Sequence, residues 1–144
     1  MIDVQKVADV MGGAKVLGRA ICSLDQLVEA VENGLPKGCL RNTAWRVAAD
    51  RGEQRRLMYR VVPEATFKRR RERLSPSESE RTERLARVVA AAEYVWESPE
   101  NARSFLSAPH PELRGRAPLN AAMTELGARQ VELILEKIFH GLPA

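Results

Sequence analysis

The stretch Ser75-Pro76-Ser77-Glu78 constrains this chain more than any other. The serine hydroxyl can accept from N–H groups ahead of it, and the proline sits where its missing N–H is not needed. The glutamate at the third position can reach back to the N–H of the cap, so together they mark a helix start. Leu85, Val88, Val89, Ala92, Val95 and Trp96 then recur at spacings of three and four, with Arg81, Arg84 and Arg87 away from the centre of the stripe. That spacing predicts a long helix ending at Ser98-Pro99. Such a stripe serves as a core face or as a dimer seam, and core is the reading adopted because any helical domain needs one.

Immediately before this cap lies a short basic helix. Pro63 suits a first helical position and Glu64 lies near the positive end of the helix dipole. Phe67 and Leu74, at i and i+7, are placed on one packed face. Lys68, Arg69, Arg70 and Arg71 fill a whole turn, so they must present positive charge around it, and phosphate is the fitting ligand. Upstream, Glu53 to Val61 reads as another amphipathic helix, with Leu57 and Val61 inward and Arg55, Arg56 and Arg60 adding charge. Two short helices in tandem suggest a helix-turn-helix whose second helix enters the major groove. A solvated arginine face is the alternative for such a run. The turn Val61-Val62-Pro63 lacks the glycine often found between such helices, which leaves their angle open.

With 144 residues, 44% hydrophobic, 29% charged and only 5% aromatic, the chain fits one ordinary domain or two small ones, leaning towards helix, and not a disordered segment. The formal charge of +4 is mild, so affinity for nucleic acid depends on where the charge lies, and Lys68 to Arg73 is where it concentrates. No apolar run approaches the roughly 20 residues of a bilayer span and no signal-peptide pattern opens the chain, so a cytoplasmic protein is expected. Cys22 and Cys39 are too far apart for a C-x-x-C motif and are expected to be reduced, half-buried fillers.

The remaining segments read as helices with clear punctuation. Val4, Val7, Ala8 and Met11 give a first apolar face that Gly12-Gly13 ends. A further turn or two is expected between Ala14 and Ile21. Ser23-Leu24-Asp25-Gln26 caps a helix from Leu24 to Glu32. Leu40, Ala44, Val47 and Ala48 mark another, with Trp45 expected in the core. A second module begins near Pro99, where Ala102, Phe105 and Leu106 form a helix. Pro109 and Pro111 extend the link, Leu113-Arg114-Gly115 turns it, and Pro118 opens a short helix that Gly127 is expected to close. The last helix is expected from Ala128 to Phe139, stopped by Gly141 and followed by the apolar tail Leu142-Pro143-Ala144. No catalytic constellation stands out: the serines read as caps, and His110 and His140 have no spaced co-ligands for a metal.

The ordered residues Asn101-Ala102, Phe105-Leu106, Pro109, Leu113-x-Gly115, Pro118-Leu119, Thr124-x-x-Gly127, Val131, Leu135 and Ile138-x-x-Gly141 resemble the toxin-binding domain of the Xre/MbcA/ParS antitoxins. The N-terminal half resembles that family's Xre-like helix-turn-helix, through Gly34-Leu35-Pro36, Thr66, Arg69-Arg70, Leu74-Ser75 and Glu78-Ser79. Pro63 stands where a serine is common and Phe105 where a tryptophan is common. The resemblance implies an all-α fold with a DNA-binding domain over 1–80, a connecting or dimerisation helix over 81–98 and a toxin-binding domain over 99–144. It implies a non-enzymatic, cofactor-free antitoxin that neutralises a RES-domain, NAD-degrading toxin by occluding its active site and represses its own operon as a homodimer on operator DNA. A stand-alone helix-turn-helix regulator is the alternative. The expected DNA-binding residues are Arg56, Thr66, Lys68, Arg69, Arg70 and Arg73. Those expected to bind toxin are Leu113, Arg114, Gly115, His140, Gly141, Leu142, Pro143 and Ala144.

Overall fold

The computed structural model describes residues 3–144. The fold is all-α, 71% helical, with no strand among the described residues. In chain order the helices are α1 (Val4–Val10), α2 (Gly13–Leu17), α3 (Leu24–Glu32), α4 (Lys37–Val47), α5 (Arg51–Val61), α6 (Glu64–Arg69), α7 (Pro76–Trp96), α8 (Pro99–Ser107), α9 (Pro118–Ala121) and α10 (Glu125–Phe139). A 3₁₀ turn, Pro111–Leu113, separates α8 from α9.

Most of the longer helices pack on α7. Ser75 accepts from the Glu78 N–H at 3.2 Å while the Glu78 carboxylate accepts from the Ser75 N–H at 2.8 Å, which completes the capping box. The 21-residue helix spans about 31 Å and touches α1, α3, α4, α5, α8 and α10. Most of its stripe is core: Leu85, Val88, Val89 and Ala92 are buried, and Val95 and Trp96 are half-buried. Alanines on the stripe let neighbouring helices approach closely. The arginines lie off the stripe's centre but are not free. The Arg81 Nε donates to the Val61 carbonyl at 2.9 Å and the Arg84 Nε to Glu125 at 3.2 Å.

The basic helix is shorter than its sequence suggests. α6 ends at Arg69; Arg70 is extended (φ −64°, ψ 137°), so Arg70 and Arg71 do not complete a helical turn and Leu74 is not on the same helix as Phe67. Main-chain pairing with the segment before α4 causes this. The Lys37 N–H donates to the Glu72 carbonyl at 2.9 Å, the Leu74 N–H to the Leu35 carbonyl at 2.8 Å, and Pro36 bridges Arg73. Gly34 makes the approach possible: at φ +87° a Cβ there would lie 2.5 Å from the Leu74 carbonyl oxygen. Phe67 and Leu74 both reach the core, by separate routes.

Three further expectations change. Trp45 is 50% exposed, because α4 buries Leu40, Thr43, Ala44 and Val47 and position 45 falls off that face. Cys22 is exposed and Cys39 fully buried, where burial pushes its thiol up to about 12 against the lowering influence of Arg73, keeping it protonated. Gly127 does not close α9. It lies inside α10, which starts at Glu125 with Thr124 as its cap, and its N–H donates to the Thr124 Oγ1 at 3.0 Å.

Candidate functional site

The surface expected to face DNA is built by α5 and α6. Asp50 caps α5, accepting from the Glu53 N–H at 2.9 Å, and Leu57, Met58 and Val61 seat the helix in the core. Pro63 ends the turn in the position before α6, not inside it. Phe67 points inward, its ring 6.1 Å from that of Tyr59. With Phe67 inward, Ala65 and Arg69 face away from the body of the protein.

The expected DNA-binding residues divide sharply. Arg56 and Arg69 are exposed and make no ion pair among the described residues. Thr66 is half-buried beside them. Lys68 is exposed but pairs with Glu64 at 2.7 Å across one helical turn. Arg70 is a clamp: its Nε and Nη2 donate to the two oxygens of Glu78 at 3.0 and 2.9 Å. Those hydrogen bonds hold the Glu78 carboxyl below its ordinary range, against the upward push of burial. Arg73 donates from Nη1 to the Gly34 carbonyl at 2.9 Å. Arg70 and Arg73 therefore fix the segment after α6, and the uncommitted cations of the set are Arg56 and Arg69.

At the other end of the chain, α10 finishes with a double backbone lock. The Gly141 N–H donates to the Ile138 carbonyl at 3.0 Å and the Leu142 N–H to the Lys137 carbonyl at 2.7 Å, with Gly141 at φ +69°. His140, Gly141, Leu142, Pro143 and Ala144 are all exposed, as are Arg114 and Gly115. Leu113 is not: it is fully buried and holds the 3₁₀ turn in the core, so it has no surface to offer a partner. Exposed apolar side chains that the sequence pattern did not single out lie along α10, where Leu126 is 71% and Leu133 58% exposed. Phe139, the last residue of α10, and Leu142 beyond it are also exposed apolar side chains, and the Tyr94 ring lies 5.6 Å from that of Phe139.

A model of the antitoxin Xre-like helix-turn-helix domain matches residues 26–87, and one of the antitoxin Xre/MbcA/ParS C-terminal toxin-binding domain matches residues 91–141. The chain belongs to the Xre/MbcA/ParS antitoxin family. An antitoxin Xre of Pseudomonas putida strain KT2440 is 36% identical over 84 residues, covering 56% of this chain and 53% of that relative. The chain thus spans about half the length of the curated relative it matches.

The two family domains of this antitoxin-family chain are joined by side chains that the sequence did not flag. Glu93 on α7, with its side chain 3% exposed, receives Arg46 of α4 through two hydrogen bonds of 2.8 Å and Lys6 of α1 at 2.9 Å. Burial pushes the Glu93 carboxyl up, but Arg46 and Lys6 outweigh it and hold the group below its ordinary range. Arg60 of α5 donates to Asn120 of α9 at 2.6 Å. α1 and α2 lie outside both matched segments, yet α1 packs along α7 and supplies one cation of this junction. The described residues contain no group of three or more metal-ligating side chains, and no helix among them is long and apolar enough to cross a membrane.

Proposed function

We propose that the protein is the antitoxin of a two-component toxin–antitoxin pair, binding and neutralising a RES-type, NAD-degrading toxin through its C-terminal domain. In the same reading it represses its own operon as a homodimer through α5 and α6. The observation that carries the proposal is the succession of the two family domains in one chain, with a firm helix stop at Gly141 followed by an exposed apolar tail. Leu126, Leu133 and Leu142 supply apolar contact area on the toxin-binding domain, and Arg114 supplies charge beside it. The antitoxin acts by contact and occlusion, with no chemistry of its own.

Co-expression with the product of the neighbouring open reading frame tests the reading. The neighbour alone is expected to stop growth and deplete cellular NAD, and this chain to restore both while co-purifying with it. A harmless neighbour that does not co-purify would instead favour a stand-alone helix-turn-helix regulator.

Two consequences follow for single regions. Leu142 is 57% exposed in the free chain, and seating it in a toxin cleft would contribute about 1–2 kcal/mol, or roughly tenfold in affinity. Deleting 142–144 should therefore weaken inhibition by about tenfold in a titration of toxin activity; unchanged inhibition would remove the tail from the mechanism. On the DNA side, Arg69→Ala should lower the slope of log affinity against log salt by about one unit if Arg69 holds a phosphate. A slope equal to that of the unsubstituted chain would exclude that contact.

A further inference from the structure

Beside α6, on the wall formed by α4, two cations converge on one aromatic ring. The Lys37 Nζ lies 4.4 Å and the Arg41 guanidinium 5.3 Å from the centroid of Phe67. Lys37 is held there by a 3.0 Å hydrogen bond to the Arg70 carbonyl. The backbone around Arg41 is fixed by Gln54 of α5, whose Nε2 donates to the Arg41 carbonyl at 2.9 Å. Two neighbouring cations have carboxylate partners, Lys68 with Glu64 and Arg70 with Glu78, while Arg69 on the outward face of α6 has none among the described residues. Lys37 and Arg41 have none among the described residues. Two like charges gathered at one ring without a counter-charge repel each other, and the ring's negative face relieves only part of that. An anion placed there would supply the missing counter-charge.

We infer that Arg41, supported by Lys37, is a phosphate-binding site for the DNA backbone flanking α6. The inference rests on the proposed DNA-binding role of α5 and α6 and adds to it a contact from a third helix. Arg41 is exposed, and its contact with Phe67 pre-orders a planar guanidinium, so less side-chain freedom is lost when a phosphate oxygen is engaged. Phe67 is the inward residue of α6, so a cation above its ring lies at the flank of the helix, where a duplex strand rises from the groove, and not at the outward face. The contact is accordingly to phosphate and reports no sequence. The four residues Lys68 to Arg71 draw attention to themselves as a run, whereas Lys37 and Arg41 are separated by three residues and reach the same surface only through folding.

The test is fluorescence anisotropy with labelled duplexes tiled across the DNA upstream of the chain's own coding sequence, over a range of salt. Arg41→Ala should weaken binding roughly tenfold at about 0.1 M salt and lower the salt slope by about one unit, equally for the preferred duplex and a scrambled one. Arg41→Lys should retain the slope, and the thermal midpoint of both variants should stay close to that of the unsubstituted chain. Binding and slope unchanged in Arg41→Ala, while Arg69→Ala lowers both, would overturn this site and leave the α6 reading standing. Failure of the unsubstituted chain to bind any duplex would remove the DNA-binding reading and this site with it.

Discussion

Replacing Gly127 with alanine is expected to cost about 4 kcal/mol of stability, with the damage centred on the toxin-binding domain. A Cβ at this position would lie 1.8 Å from the Ala121 carbonyl oxygen, 2.7 Å from the Ala121 carbonyl carbon and 2.9 Å from the Thr124 Oγ1. The first two are backbone atoms at the end of α9 and cannot rotate away. The start of α10 would have to move, breaking the Thr124 cap and separating α10 from α9. Overpacking of 1–3 kcal/mol or more together with a lost cap of about 1 kcal/mol gives the magnitude. It should appear as a fall in thermal midpoint of about 10 °C in calorimetry, with toxin inhibition lost more completely than DNA binding. Gly141 is the internal comparison. It has φ +69° but nothing within 4 Å of an added Cβ, so Gly141→Ala should cost only about 1–2 kcal/mol of backbone strain. Equal midpoints for the two variants would contradict the packing account.

The second large effect is expected at Arg46. Its two 2.8 Å hydrogen bonds reach Glu93, whose side chain is 3% exposed, and its Nη2 also approaches Asp9 at 3.3 Å. Arg46→Ala would leave a buried carboxylate with Lys6 as its remaining partner, at a cost of about 3 kcal/mol. The pH dependence distinguishes this from simple loss of packing. Because the folded pKa of Glu93 is lowered, its contribution is present above the unfolded value near 4.3 and is lost as pH falls through the folded pKa. Glu78, lowered by Arg70, acts in the same direction. Glu83 and Glu132 are raised by burial, so each opposes this trend, favouring the folded state at low pH and losing that advantage as it ionises. Midpoints measured between about pH 6 and about pH 3.5 should therefore fall less steeply in Arg46→Ala than in the unsubstituted chain. Parallel curves would show that Arg46 acts through packing alone.

Local chemistry explains what was legible in the sequence. The Ser75 box, the Ser23 cap and the Gly141 stop each depend on groups within a few residues, and each occurs where the pattern places it. The family pattern likewise identified both domains. What remained hidden depends on segments distant in the chain. The run Lys68 to Arg71 looks helical until Gly34 and Leu35, some forty positions earlier, pull the following residues into an extended pairing. Arg70 and Arg73 look like free cations until Glu78 and the Gly34 carbonyl claim them. Leu113 matches a toxin-binding motif, yet motif membership cannot separate a residue that contacts a partner from one that shapes the turn beneath it. Gly127 looks like a helix stop because glycine usually ends helices; its function here is to allow contact with Ala121, which no one-dimensional rule encodes. Arg46 and Glu93 lie 47 positions apart and become partners only when α4 crosses α7.

Neutralisation by direct contact is tested on the rate of NAD consumption by the purified product of the neighbouring reading frame, titrated with this chain and with the form lacking 142–144. The full chain is expected to abolish the activity near stoichiometric equivalence, and the shortened chain to need about tenfold more protein. Undiminished NAD consumption in the presence of excess full chain would contradict neutralisation by contact.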